Sequence, residues 1–281
     1  VAREENITKA AGILHITQPT LSRQLMQLED ELGVQLFKRG KSKIILTDEG
    51  MLLRRRAEEI IDLSEKTERE LTRQEELIGE VYIGGGETNT MKLLADIMKR
   101  FHGQYPLVKF DLFSGNADDV KEKIDRGLID IGLLTEPVDI SKYDFVRLPQ
   151  KDAWGVVMRK DDPLSEKEFV TADDLKGKDI MFSKRVIVQN ELASWFGDNY
   201  DKLNIVATYN LIYNATLMVE AGMGYAVCLE KLVYDNIDNQ VCYRLFQPRL
   251  ETGTVLVWKK HQVFSPATTK FIEWIKNAFK A

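Results

Sequence analysis

Two cysteines and three histidines are all that 281 residues offer to thiol, imidazole and metal chemistry. Cys228 and Cys242 stand fourteen positions apart and outside any CxxC, which excludes a disulfide framework and gives no zinc spacing. They read as small buried hydrophobes in a reducing cytoplasm. His15, His102 and His261 are scattered without metal-ligand spacing and read as surface or helix-end residues. There is no GxSxG elbow and no Cys/His signature, so nucleophilic catalysis has no visible machinery, and no cofactor or metal is implied. No apolar run approaches the roughly 20 residues of a membrane span. The opening residues, with Arg3, Glu4 and Glu5, are no signal peptide, so a cytoplasmic chain with no membrane role is expected.

What is present is ordinary globular composition, 44% hydrophobic and 30% charged, over a length sufficient for two domains. The net charge of −5 is unevenly placed. Residues 1–47 hold seven Lys/Arg against five Asp/Glu, and all the negative excess lies beyond them. Because nucleic-acid binding depends on a local patch, the acidic total does not exclude it.

Ile7, Ala10, Ala11 and Leu14 recur at helical spacing, and His15 and Ile16 break the pattern. Thr17 is placed as an N-cap with Pro19 in the following first turn. The second helix so begun carries Leu21, Leu25, Leu28 and Leu32 on one face and ends at Gly33. Pro19, Arg23, Met26 and Gln27 fall on the opposite face, with Gln18 and Ser22 on its flank. Arg and Gln have the bidentate groups that read guanine and adenine edges, while Ser and the helix N-terminus suit phosphate oxygens. Glu29, Asp30 and Glu31 lie at the far end. Gln35 to Lys38, a turn at Arg39-Gly40, and Lys43 to Leu46 read as a two-stranded wing. Lys38, Arg39, Lys41 and Lys43 cluster at its tip as candidate phosphate or minor-groove contacts. The alternative is a small helical hairpin with a solvated basic loop.

The run KAAGILHITQPTLSRQLMQLEDELGVQLFKR, followed by LTDEG, closely resembles the DNA-binding domain of the LysR-type transcriptional regulators, in residue identities as well as spacing over some forty positions. The resemblance implies a winged helix-turn-helix, a long linker helix and a two-lobed α/β effector domain of the periplasmic-binding-protein type. Its DNA contacts would fall on Thr17, Gln18, Pro19, Ser22, Arg23, Gln27, Lys38, Arg39, Lys41, Lys43 and Thr47. The chain begins with Val on the helix-turn-helix itself. Family members carry another helix's worth of residues before this point, so a preceding helix is expected.

Thr47 caps a long helix with Asp48 and Glu49 in its first turn, where the dipole favours them. Leu53, Ala57, Ile60, Ser64, Thr67 and Leu71 form a heptad-like stripe along about 30 residues, or roughly 45 Å. So narrow a stripe on a polar helix calls for a second copy of itself; the alternative is a lone helix lying on the second domain. From Glu80 the pattern alternates: strands at 80–83, 108–113 and 129–134, helices at 91–101 and 117–126, which reads as an α/β unit with a parallel sheet. Strands at 180–182, 205–209 and 225–229, with helices at 188–199 and 214–221, repeat the theme. IDRGLIDIGLL and VEAGMGYAVCL both run helix, Gly, strand. A last strand at 254–258 and a helix at 268–278 return to the first lobe. The expected division is 1–47 for the reader, 48–78 for the linker and 79–281 for the effector domain, with lobe one at about 79–150 and 254–281 and lobe two at about 151–253.

Gly84 to Thr90 leaves the first strand and starts a helix, so its N–H groups and hydroxyls reach the carboxyl edge where open α/β sheets bind ligands. It is no phosphate loop, lacking GxxxxGK[ST], and Asn89 occupies the third-glycine position of the dinucleotide pattern. A plain strand-exit turn is the alternative. In the family, hydroxyl residues here line the effector pocket, which implicates Thr88, Asn89 and Thr90. Ser114 and Asn116 leave the second strand, Ser183, Lys184 and Arg185 follow Phe182 in the other lobe, and Tyr213 with Asn214 begins another helix. Together these suit a small polar or anionic ligand, charge coming from Lys184 and Arg185 and Glu87 arguing against it. The expectation is a homodimer, and with it a homotetramer, that reads an interrupted palindrome in double-stranded DNA and senses a small metabolite. Its rivals are a constitutive repressor without effector and an enzyme using the α/β cleft.

Overall fold

In the computed structural model, which describes residues 1–2, 4–39, 44–71, 77–233 and 240–279, each early helix is opened by a side-chain cap. Asn6 accepts the Lys9 N–H at 2.9 Å and α1 (Ile7–Ile13) follows. Thr17 accepts from Thr20 at the start of α2 (Gln18–Leu32), Pro19 fills the first turn, and Gly33 closes it at φ +67°. Ala10, Ala11 and Leu21 are buried, with Ile7, Ile16 and Leu25 packed on them. The inner stripe is shorter than its spacing suggests: Leu14, Leu28 and Leu32 are exposed. Helical spacing records an apolar face, and the seven-residue α1 covers only the first half of the one on α2.

β1 (Phe37–Arg39) and β2 (Ile44–Leu46) pair antiparallel as the wing, Lys38 opposite Ile45. Glu29 does not stand apart as the sequence suggests. Its carboxylate accepts the N–H groups of Leu36 at 2.7 Å and Phe37 at 3.1 Å, tying the wing to α2. Thr47 caps α3 (Asp48–Leu71): its hydroxyl accepts the Gly50 N–H at 3.0 Å and donates to the Gln35 carbonyl at 2.6 Å. Gly50 permits the close approach, since a Cβ there would lie 2.1 Å from the Leu36 carbonyl oxygen. α3 has 24 residues, about 36 Å. That is shorter than the expected 30, and residues 72–76 lie outside the described residues.

The chain divides into two compact units, Val1–Leu71 and Thr72–Ala281. The second runs β3 (Gly79–Gly85), α4 (Met91–Gln104), β4 (Val108–Ser114), α5 (Ala117–Asp125), β5 (Ile131–Thr135) and β6 (Tyr143–Arg147). It continues with β7 (Asp152–Arg159), β8 (Phe169–Val170), β9 (Asp179–Ser183), α6 (Val186–Phe196), β10 (Asn204–Tyr209), α7 (Ile212–Glu220), β11 (Tyr225–Leu229), β12 (Val241–Phe246) and β13 (Glu251–Thr252). β14 (Thr254–Lys259) and α8 (Pro266–Ala278) follow. One sheet has the order β4-β3-β5-β14-β6 and the other β10-β9-β11-β7-β12-β8, with β13 also on β7.

The sheets are mixed, not parallel. β3, β4 and β5 are parallel, but β14 runs antiparallel to both β5 and β6, and β7 antiparallel to β11 and β12. The crossovers cause this. β5 ends at Thr135 beside Thr254, where the chain returns from the other lobe, so a strand entering there can only run away from that edge. β7 leaves the same region in the other direction, with Asp152 paired to Thr252. α5 and α7 are each followed by a left-handed glycine, Gly127 at φ +75° and Gly222 at φ +83°, before the strand that follows.

Each lobe has its own core. In the first, Phe101 stands edge-on to Phe271 at 5.0 Å and Trp274 at 5.2 Å, fixing α4 to α8. In the second, Phe182 and Phe196 pack under α6, and Trp195 stacks on Phe246 at 4.0 Å. Cys228 and Cys242 are buried in this lobe.

Candidate functional site

On the first unit, Gln18, Pro19, Arg23 and Gln27 are exposed on α2, Ser22 is half-buried beside them, and Lys38 is exposed on β1. The exposed Thr17 hydroxyl lies 2.8 Å from that of Thr20, and Gln27 donates to Glu31 at 2.9 Å, a surface bond it can exchange for a base edge. The Arg39 side chain, Lys41 and Lys43 lie outside the described residues. Thr47 is a correction: it is buried, and both hydrogen bonds of its hydroxyl are internal, so its side chain is committed to the helix cap.

On the second unit, β3, β4 and β5 of one lobe and β9, β10 and β11 of the other end at a common cleft of about 600 Å³ of empty space, part of it open to solvent. Lobe one contributes Gly86, Glu87, Asn116, Ala117, Leu133 and Thr135 to its lining. Trp154, Ser183, Arg185, Val188, Tyr209 and Asn210 come from lobe two. Asn116 caps α5, its oxygen accepting from Asp118 at 2.9 Å and Asp119 at 3.2 Å, which leaves its amide N–H groups for other partners.

Side chains at the cleft bond across between the lobes. Arg185, buried, donates to the Asp118 carboxylate at 3.3 Å and to the carbonyls of Thr135 at 3.5 Å and Pro137 at 3.2 Å. The Glu87 carboxylate accepts the Ile212 N–H at the first turn of α7, where the helix dipole favours a negative group. Thr88 and Thr90 both donate their hydroxyls to Asp152 at the start of β7, the latter at 3.0 Å.

This geometry revises the cleft residues inferred from sequence. Asn116 and Ser183 line the cleft. Thr88 and Thr90 are buried beneath it with their hydroxyls on Asp152, because a loop leaving a strand must first satisfy the buried carboxylate beside it. Asn89 is half-buried and outside the lining; Ser114 and Lys184 are exposed beyond the cleft edge. Tyr213 is 69% exposed on the outer side of α7, one residue past the turn that faces Glu87. Arg185, expected from sequence to supply charge to the cleft, and Glu87, expected to oppose an anion there, are the ionic groups of the lining among the described residues. Tyr209 carried no signal beyond its place at a strand end, and Trp154 carried none.

Replacing Thr88 by Val should therefore act on stability. One donor to a buried carboxylate is lost, which costs about 1–3 kcal/mol. A denaturant-unfolding midpoint equal to that of the wild type would contradict this role.

The domain description "Bacterial regulatory helix-turn-helix protein, lysR family" matches residues 1–51, and "LysR substrate binding domain" matches residues 74–280. The chain belongs to the LysR family. A LysR regulator of this kind is a transcriptional regulator with a DNA-binding helix-turn-helix and a substrate-binding domain. Among its relatives is the Hca operon transcriptional activator HcaR of Escherichia coli (strain K12), 30% identical over 287 residues that cover 99% of this chain and 94% of the relative. The fold matches the crystal structure of CbnR, a LysR family transcriptional regulator, with a TM-score of 0.77 at 18% identity, covering 100% of this chain and 96% of CbnR. It matches full-length CbnR complexed with its target DNA at a TM-score of 0.75, again at 18% identity, covering 99% and 96%. Among the described residues, no helix of this LysR chain is long and apolar enough to cross a membrane.

Proposed function

We propose that this LysR regulator reads an interrupted palindromic operator as a homodimer joined through α3, assembled further into a homotetramer in the cytoplasm. A small effector held between the lobes of the second unit sets its DNA affinity. The working division is residues 1–47 for the reader, 48–78 for the linker and 79–281 for the effector domain, lobe one taking 79–150 and 254–281. The carrying observation is the exposed Gln18 and Arg23, with half-buried Ser22 beside them, at the N-terminal end of α2, flanked by Lys38 on the wing. Those groups have base-reading and phosphate-binding chemistry, and α2 turns its apolar side away from them. An effector role, and not catalysis, is supported by a lining without histidine in which Tyr209 and Cys228 are held protonated by burial and by the negative charge of Glu87.

The test is selection from a randomised duplex library at fixed salt, with wild type, Arg23→Ala and Lys38→Ala. Arg23→Ala should lose about 1–3 kcal/mol on the selected sequence and relax preference at one base position per half-site. Lys38→Ala should weaken all sequences alike and flatten the salt dependence. Unchanged affinity and preference in Arg23→Ala would take α2 out of the groove.

A further inference from the structure

The charge of the cleft runs opposite to what its loops suggest in sequence. Lys184 lies outside it, and the two ionic side chains in its lining are not equally available. The Arg185 guanidinium is committed to lobe one, on the Asp118 carboxylate and the carbonyls of Thr135 and Pro137. Glu87 has no cationic partner among the described residues; its bond is to the Ile212 N–H, which leaves the second oxygen for another donor. The field of that charge is felt on the cleft floor. Burial, and after it Glu87, raises the pKa of the Cys228 thiol, and burial, Cys228 and then Glu87 raise that of the Tyr209 hydroxyl. The indole N–H of Trp154, which lines the cleft, is 5% exposed and has no hydrogen-bond acceptor among the described residues. Leu133, Val188, Leu229 and Leu232 give the lining its hydrocarbon, and Asn116, Thr135, Ser183 and Asn210 add neutral polar groups.

We propose that the cleft selects a small, mainly apolar amine that also carries a hydrogen-bond acceptor. Its ammonium lies on Glu87, its acceptor takes the Trp154 N–H, and its hydrocarbon body packs on Leu133, Val188 and Leu229. A carboxylate ligand would face the Glu87 carboxylate, while Arg185, the one cation among the described lining residues, already has three of its five N–H donors engaged with lobe one. The assignment rests on the cleft being the effector site.

The experiment is a calorimetric titration of the full chain with butylamine, benzylamine and 4-methoxybenzylamine. Their matched carboxylates and alcohols are titrated in parallel, and all are repeated on Glu87→Gln and on Asn210→Trp, which fills the mouth of the cleft. The expected result is an amine bound about tenfold or more tighter than its carboxylate, the size of one charge-assisted hydrogen bond, with the methoxy compound tightest. Glu87→Gln should erase that preference and leave the alcohols unchanged, and Asn210→Trp should abolish binding of all three classes. Carboxylates bound as tightly as amines, and lost in Asn210→Trp, would overturn the amine assignment while keeping the cleft as a ligand site. Binding that survives Asn210→Trp would overturn both. No heat from any amine at millimolar concentration overturns the assignment.

Discussion

The Ile60→Glu protein should sediment as a monomer. Ile60 is 68% exposed in the single chain, and Met51, Leu52, Ile61 and Leu63 are exposed apolar side chains of the same helix. On a helix as charged as α3, with Arg54–Glu58 and Arg56–Glu59 pairs on its surface, such side chains are stable in water only if a second apolar stripe covers them. In a pair of parallel or antiparallel copies each Ile60 is buried against the partner, worth about 1.5–3 kcal/mol per side chain. Two glutamates in the seam forfeit both, so the dimer dissociation constant should rise by roughly two to four orders of magnitude. DNA affinity should fall with it, because a monomer engages one half-site and loses the effective concentration that the second provides. Analytical ultracentrifugation decides the point. A wild type that is itself monomeric at micromolar concentration would remove α3 from assembly.

The second large effect is expected from Arg185→Met. Arg185 is the buried residue through which α6 holds the opposite lobe, with one carboxylate and two carbonyls as acceptors. Methionine fills much the same volume but donates nothing, so those acceptors lose a charged partner worth about 1.5–3 kcal/mol. The lobes should part more often. Amide exchange should rise about tenfold or more in residues 133–138 and 183–189 if that free energy is drawn from closure. Exchange should stay as in the wild type in β3 and β9, inside the two cores. Uniform acceleration across both lobes would mean global destabilisation, and unchanged exchange at residues 133–138 would mean that Arg185 does not hold the cleft shut.

Elements that depend on a single side chain and its immediate neighbours were legible in the sequence. Thr17, Pro19, Gly33 and Thr47 mark helix ends because capping is local chemistry, and all four act so in the structure. Partnerships at a distance were not legible. Glu29 is placed by its spacing at the far end of the second helix, but nothing local shows that the wing presents the Leu36 and Phe37 amides to it. β7 was missed because every residue but the last is buried, and a strand covered on both faces shows no alternation. That omission hid the partner of Thr88 and Thr90. The loops reaching the cleft edge were correctly placed at 84–90, 114–116 and 183–185, but which hydroxyl turns outward depends on Asp152, at the start of the unrecognised strand. The engagement of Arg185 was hidden for the same reason: its acceptors lie at 118, 135 and 137 in another lobe.

The most direct measurement is a hydroxyl-radical footprint of the wild type on the duplex enriched from the random library. Paired helix-turn-helix readers predict two protected patches related by a dyad, on one face of the duplex, with centres about 34 Å or a multiple of it apart. Arg23→Ala should fade both patches together. A single protected patch without a dyad, or protection that spreads evenly along any duplex offered, would contradict a dimer that reads sequence through α2.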